Sequence, residues 1–245
     1  TVNPAPTPII GSSSLCVGST INLSDVTTGG SWSSSNSNAI IGSATGVLIG
    51  VSSGSSVITY MLPTGCITTK TITIDPLPTA ITGSTDVCVG STIVLSNATA
   101  GGIWSISNTN ATIGSTTGSL TGNAPGSTTI SYTLATGCVI TLMETINPVP
   151  ALISGPTSIC VGDIVTMSDA SVGGLWSSGN ANISVGSSTG IVTGNAAGTS
   201  VLSYILPTGC FITQAETIAP LPALISGTSS VCEGSTIIYS DASVG

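Results

Sequence analysis

Thr129-Ile130-Ser131-Tyr132-Thr133-Leu134-Ala135-Thr136-Gly137-Cys138 alternates small polar and apolar side chains and then breaks at Thr-Gly. In an extended chain this alternation puts Ile130, Tyr132 and Leu134 on one face and Thr129, Ser131 and Thr133 on the other. Thr136-Gly137 reads as a turn, and Cys138 opens a second strand running to Ile146. The same ten residues recur in kind as Val57 to Cys66 and Val201 to Cys210.

The whole chain keeps this 72-residue period. Cys16, Cys88, Cys160 and Cys232 are evenly spaced by it. So are Cys66, Cys138 and Cys210, the tryptophans Trp32, Trp104 and Trp176, and the tyrosines Tyr60, Tyr132 and Tyr204. Residues 76–147 and 148–219 align without a gap, with 36 of 72 positions identical. Such self-similarity is the signature of a tandem array. We expect complete repeats at 5–76, 77–148 and 149–220, with 1–4 the tail of a preceding repeat and 221–245 part of a fourth. The natural chain is expected to continue in both directions. The joints are proline-rich: Pro4-Ala5-Pro6, Pro76-Leu77-Pro78, Pro148-Val149-Pro150 and Pro220-Leu221-Pro222. Proline fixes φ and pushes its predecessor to extended backbone, so these are short, stiff spacers.

Nothing in a repeat has helical period. About seven short apolar-alternating runs, separated by Gly, Asn, Pro and Ser, predict an all-β protein: a tandem array of immunoglobulin-like β-sandwiches with one small sandwich per repeat. A core that small needs its one tryptophan and one strand tyrosine inside, so Trp32, Trp104, Trp176, Tyr60, Tyr132 and Tyr204 read as core anchors. The competing reading is an aromatic platform for sugars.

Composition excludes most other functions. Ten of 245 residues are charged, one of them basic, and there is no histidine; the net charge is −8. One lysine cannot neutralise a phosphate backbone, so nucleic acid is not a partner. Without histidine there is no imidazole base, no Ser-His or Cys-His pair and no His-ligated zinc, and the acids are scattered. We expect no enzyme activity, no cofactor and no metal. The mean hydropathy is +0.59, yet apolar runs such as Val47–Val51 are about a quarter of a membrane span, so membrane insertion is not expected.

Trp32-Ser33-Ser34-Ser35-Asn36, Thr45-Gly46-Val47 with Gly50, and Val57-Ile58-Thr59-Tyr60 resemble the bacterial immunoglobulin-like domain, group 2. The unit, with Cys-Val-Gly before its second strand and Thr-Gly-Cys before its last, is similar to the tandem repeats of giant surface adhesins of gliding Bacteroidetes, which are exported by type IX secretion. The resemblance implies an extracellular location on the bacterial cell surface and a part in cell adhesion or gliding motility. It brings no catalytic residues. Unlike antibody domains, the chain has no cysteines at the buried strand B and F positions.

Two cysteines per repeat in an exported protein point to disulfides. Three states stay open for Cys16, Cys66, Cys88, Cys138, Cys160, Cys210 and Cys232. They are bonds within repeats (Cys16–Cys66, Cys88–Cys138, Cys160–Cys210), bonds across joints (Cys16–Cys138, Cys88–Cys210), and free thiols. In an immunoglobulin-like sandwich the two cysteines of a repeat lie at opposite ends, roughly 20 Å apart, which favours the joints. Asp25, Asp169 and Asp241, with Asn97 in the second repeat, read as turn residues rather than calcium ligands. Lys70 is replaced by Leu142 and Gln214, so a Lys-Asn isopeptide bond is not a general device here. The expected role is a structural stalk or filament segment, whose partners are other repeats of the same long chain. The rivals are a module binding glycan or a partner protein, and a filament or sheath built by lateral packing of identical chains. The partial repeat leaves apolar Ile237 and Tyr239 and unpaired strand edges open, so residues 223–245 are expected to be disordered or held by the third repeat or another chain.

Overall fold

A computed structural model describes residues 3–242. They fall into two compact units, Thr1–Ile146 and Asn147–Gly245. The first holds two seven-stranded sandwiches and the second holds one, followed by the partial repeat. The fold is an all-β tandem array of immunoglobulin-like sandwiches.

In the first repeat the strands are β1 (Ser14–Cys16), β2 (Thr20–Asn22), β3 (Ser31–Ser34), β4 (Ala39–Ile41), β5 (Val47–Gly50), β6 (Gly54–Met61) and β7 (Ile67–Asp75). One sheet has the order β1-β7-β6-β3 and the other β2-β5-β4. All pairings are antiparallel except β1 with β7, which run parallel in the register Ser14↔Thr73, Leu15↔Ile74 and Cys16↔Asp75. The same set recurs from β8 (Asp86–Cys88) to β14 (Val139–Asn147), and from β15 (Ser158–Cys160) to β21 (Phe211–Ala219).

Strict alternation sets the faces. Val57, Thr59 and Met61 of β6 point outward or lie at the surface, while Ser56, Ile58 and Tyr60 are buried. Ile58 and Tyr60 meet Leu15, Leu23, Trp32, Leu48, Ile72 and Ile74 between the sheets. Equivalent cores form around Trp104 and Tyr132, and around Trp176 and Tyr204. Two glycines make the close packing possible. Gly46 has φ +71°, and a Cβ there would stand 2.3 Å from the Leu23 carbonyl oxygen. A Cβ on Gly30 would stand 2.4 Å from the Tyr60 ring.

In the partial repeat, Ser226 and Ser240 form the bridge that Ile10–Ser24 makes in the first repeat. Of the two apolar residues expected to need covering, Tyr239 is 58% exposed and Ile237 is half-buried.

Candidate functional site

The six aromatic residues form three matching pairs. Trp32 and Tyr60 face each other across β3 and β6, with ring centroids 4.6 Å apart and planes tilted by 44°. Trp104–Tyr132 and Trp176–Tyr204 repeat this at 4.7 and 4.8 Å. All six rings are buried, at 5–7% exposure. Each tyrosine hydroxyl also fastens a loop. Tyr132 donates to the Thr99 carbonyl at 2.7 Å and accepts from the Gly102 N–H at 2.9 Å. Tyr60 and Tyr204 do the same at Thr27 and Gly30, and at Ser171 and Gly174. Rings held between the sheets offer no open platform to a sugar.

Two of the seven cysteines meet at the joint between the first two repeats. Cys16 ends β1 beside Asp75, the last residue of β7, while Cys66 immediately precedes that strand. Cys16 and Cys66 therefore stand at opposite ends of a strand about 25 Å long at ~3.3 Å per residue. No disulfide can join them, because a bond needs Cα atoms within about 7 Å. Cys16 is instead bonded to Cys138 of the next repeat, with Cα atoms 5.6 Å apart. Asp75 organises this contact through its backbone. Its carbonyl oxygen accepts the Val17 N–H at 3.0 Å and lies 3.9 Å from Cys138 Sγ. Cys138 is fully buried. Cys88 and Cys210 are also disulfide-bonded. Cys66 and Cys160 are half-buried free thiols and Cys232 is an exposed one.

The remaining polar residues have local tasks. Asp25 Oδ1 accepts from the Thr27 N–H at 2.7 Å and the Thr7 hydroxyl at 2.8 Å, and these bonds hold its carboxyl below the usual range despite the opposing effect of desolvation. Asn97 and Asp169 make the equivalent turn bonds to Thr99 and Ser171. Lys70 Nζ donates to the Gly11 carbonyl. Among the described residues, no group of three or more His, Cys, Asp or Glu could hold a metal ion, and no helix is long and apolar enough to cross a membrane.

Two residues that sequence reasoning passed over are inside the sandwiches. Glu144 and Glu216 are fully buried at the place that Ile72 fills in the first repeat. Neither carboxyl oxygen of Glu144 has a hydrogen-bond partner, whereas Glu216 Oε1 accepts from Gln214 at 2.7 Å. Desolvation, with the nearby Asp86 charge adding to it, pushes Glu144 up to about 7. Burial also raises Glu216, and the Gln214 bond opposes the rise. The signal was the phase of β14, in which position 144 alternates inward together with Ile146.

No family model matches the chain, and no curated protein matches it. Among solved structures it is similar to the C-terminal 282-residue fragment of intimin in complex with the intimin-binding domain of the translocated intimin receptor. Identity there is 16%, coverage 60% of this chain and 67% of that one, and the TM-score 0.40. It is also similar to invasin, a bacterial integrin-binding protein, at 16% identity over 96% of this chain and 66% of invasin, with a TM-score of 0.40. The S-layer protein rSbsC gives 13% identity over 98% of this chain and 49% of its own, with a TM-score of 0.28. The chain thus spans about two thirds of the first two and half of the third. Likeness at this level carries no argument about activity, and the fold described above rests on strand pairing.

Proposed function

We propose that this chain is a structural stalk segment of an exported bacterial cell-surface adhesin, made of three whole repeats at 5–76, 77–148 and 149–220. The observation that carries the reading is the Cys16–Cys138 disulfide, which ties one repeat to the next beside the Pro76-Leu77-Pro78 spacer. A bond placed across a joint restrains orientation, which is what a spacer requires. Disulfides persist in oxidising compartments, in keeping with an extracellular location. The six repeated Trp and Tyr residues are spent on the cores, and the single lysine donates to a backbone carbonyl. The partners are other repeats of the same chain.

The test is to place one, two or three repeats between a cell-surface anchor and a fluorescent tag. The stalk reading expects the tag to stand farther from the membrane with each repeat, and the repeats alone to bind nothing on a glycan array. Saturable binding by the repeats would overturn it in favour of a recognition module. The narrower assignment, to giant adhesins of gliding Bacteroidetes exported by type IX secretion, rests on the motif resemblance. It is tested by localising the native protein in cells with and without that export route.

A second reading, lateral packing of chains into a filament, is favoured by one observation. Leu175, Ile205 and Phe211 lie in register across three strands of the third repeat and are 57%, 37% and 58% exposed. Charging this row by Ile205→Lys disperses such a filament and leaves an isolated stalk unchanged.

A further inference from the structure

Cys66 is free, yet its surroundings copy those of a bonded cysteine. In the completed joint, Cys138 follows the turn closed by Leu134 N–H to Cys138 carbonyl at 2.9 Å and by Gly137 N–H to Leu134 carbonyl at 2.9 Å. Cys66 follows the same turn, closed by Leu62 and Gly65 at 2.9 Å each. Cys138 Sγ lies 3.9 Å from the carbonyl of Asp75, which is 63 residues earlier. The Cys66 thiol donates to the carbonyl of Asn3, also 63 residues earlier, at 3.8 Å. Asn3 is the repeat counterpart of Asp75. The turn bearing Cys66 is thus already seated on the last residues of the preceding unit. Relative to Cys138 it lacks one thing: the cysteine that reaches Cys138 from the strand beside Asp75. The difference in exposure has the same origin, since bonded Cys138 is fully buried and Cys66 is half-buried.

Cys160 presents the opposite half. It pairs with Ala219 in parallel register, and Val161 N–H donates to the Ala219 carbonyl at 3.0 Å, as Val17 does to Asp75. Each repeat therefore carries one cysteine of each kind.

The geometry assigns Cys66 to a further inter-repeat disulfide, whose partner is the Cys-Val-Gly cysteine of a repeat placed immediately before it. This deepens the stalk reading and rests on it, because it makes the first repeat a member of two covalent joints. Bond formation takes two protons and two electrons from the paired thiols. A small-molecule disulfide such as oxidised glutathione accepts them and leaves as two thiols.

The experiment extends the chain by one repeat. A copy of residues 77–144 fused before Thr1 reproduces the natural spacing, and its Cys88 copy then stands 122 residues before Cys66, the separation of Cys16 from Cys138. After oxidative refolding, free thiols are alkylated and mapped by mass spectrometry. In the unextended protein Cys66, Cys160 and Cys232 are labelled. In the extended protein Cys66 is protected and recovered joined to the added Cys88 copy, and the added Cys138 copy is labelled instead. Changing the added Cys88 copy to Ser restores the labelling of Cys66. A copy of residues 5–72 in the same place gives the same protection through its Cys16, which keeps the test decisive if the first copy folds poorly. Cys66 that stays labelled, or that joins a second chain, while Cys16–Cys138 remains intact overturns this inference and leaves the stalk reading standing. Loss of the Cys16–Cys138 bond from the unextended protein overturns both.

Discussion

Tyr132 does two things at once: its ring packs on Trp104 and its hydroxyl holds both Thr99 and Gly102. Tyr132→Phe keeps the ring and strands the half-buried loop groups, so it should cost about 1 kcal/mol. Trp104→Ala removes the largest core side chain of that repeat and should cost about 3–5 kcal/mol. Chemical denaturation of the single variants checks both. Glu144 gives a sharper test, because Ile72 shows what the same site accepts. Its folded-state value of about 7 lies above the ordinary 4.5. Burial is therefore tolerated best when the group is neutral. The second repeat is most stable below about pH 4.5, loses stability as pH rises towards 7, and is flat above that. Glu144→Ile should abolish this slope and stabilise the second repeat at neutral pH by about 1–3 kcal/mol, the scale of an unpartnered buried polar group. Melting curves from pH 4 to 8 decide it, and an unchanged slope in the variant would refute the assignment.

Among the elements, the long strands were the most legible. β6 and β7 alternate over eight and nine residues, so period two fixes which side chains face the core. Three-residue strands such as β2 and β4 are too short to show a period, and their pairing with β5 emerges only from the sandwich. The cysteine spacing was plain in the sequence, but the choice of partner depends on which end of β7 each cysteine occupies. The parallel register Cys16↔Asp75 decides that, and parallel pairing of β1 leaves no local mark. Glu144 was hidden for another reason: an acid in an alternating strand suggests a solvent face, and only its phase with Ile146 says otherwise. The joint itself predicts an asymmetry between cysteines. The Cys16–Cys138 bond closes a span of 122 residues, and Cys16→Ser should lower the stability of the first two repeats by about 2–5 kcal/mol. Cys66→Ser removes a half-buried thiol with no bond, and should stay within about 0.5 kcal/mol. Calorimetry of the two variants separates them.

For the molecule as a whole, scarcity of charge is the governing property. With ten charged residues in 245, electrostatic screening has little to act on, and melting temperature should hardly move between low and high salt. Near pH 4.1 even the net charge of −8 is gone, so light scattering should detect self-association there that is absent at pH 8. The Cys16–Cys138 bridge changes what happens when the ends of the first two repeats, taken by themselves, are pulled. Tension arriving at residue 16 crosses two sulfur atoms and leaves at residue 138, so in that pair everything from β2 to the strand before Cys138 sits on an idle branch. Those residues can melt without lengthening the molecule. Reducing the bond puts them back in series and releases about 400 Å of slack at ~3.4 Å per residue. A pulling trace that shows this added contour length only under reductant would mark the bridge as the protein's mechanical shortcut.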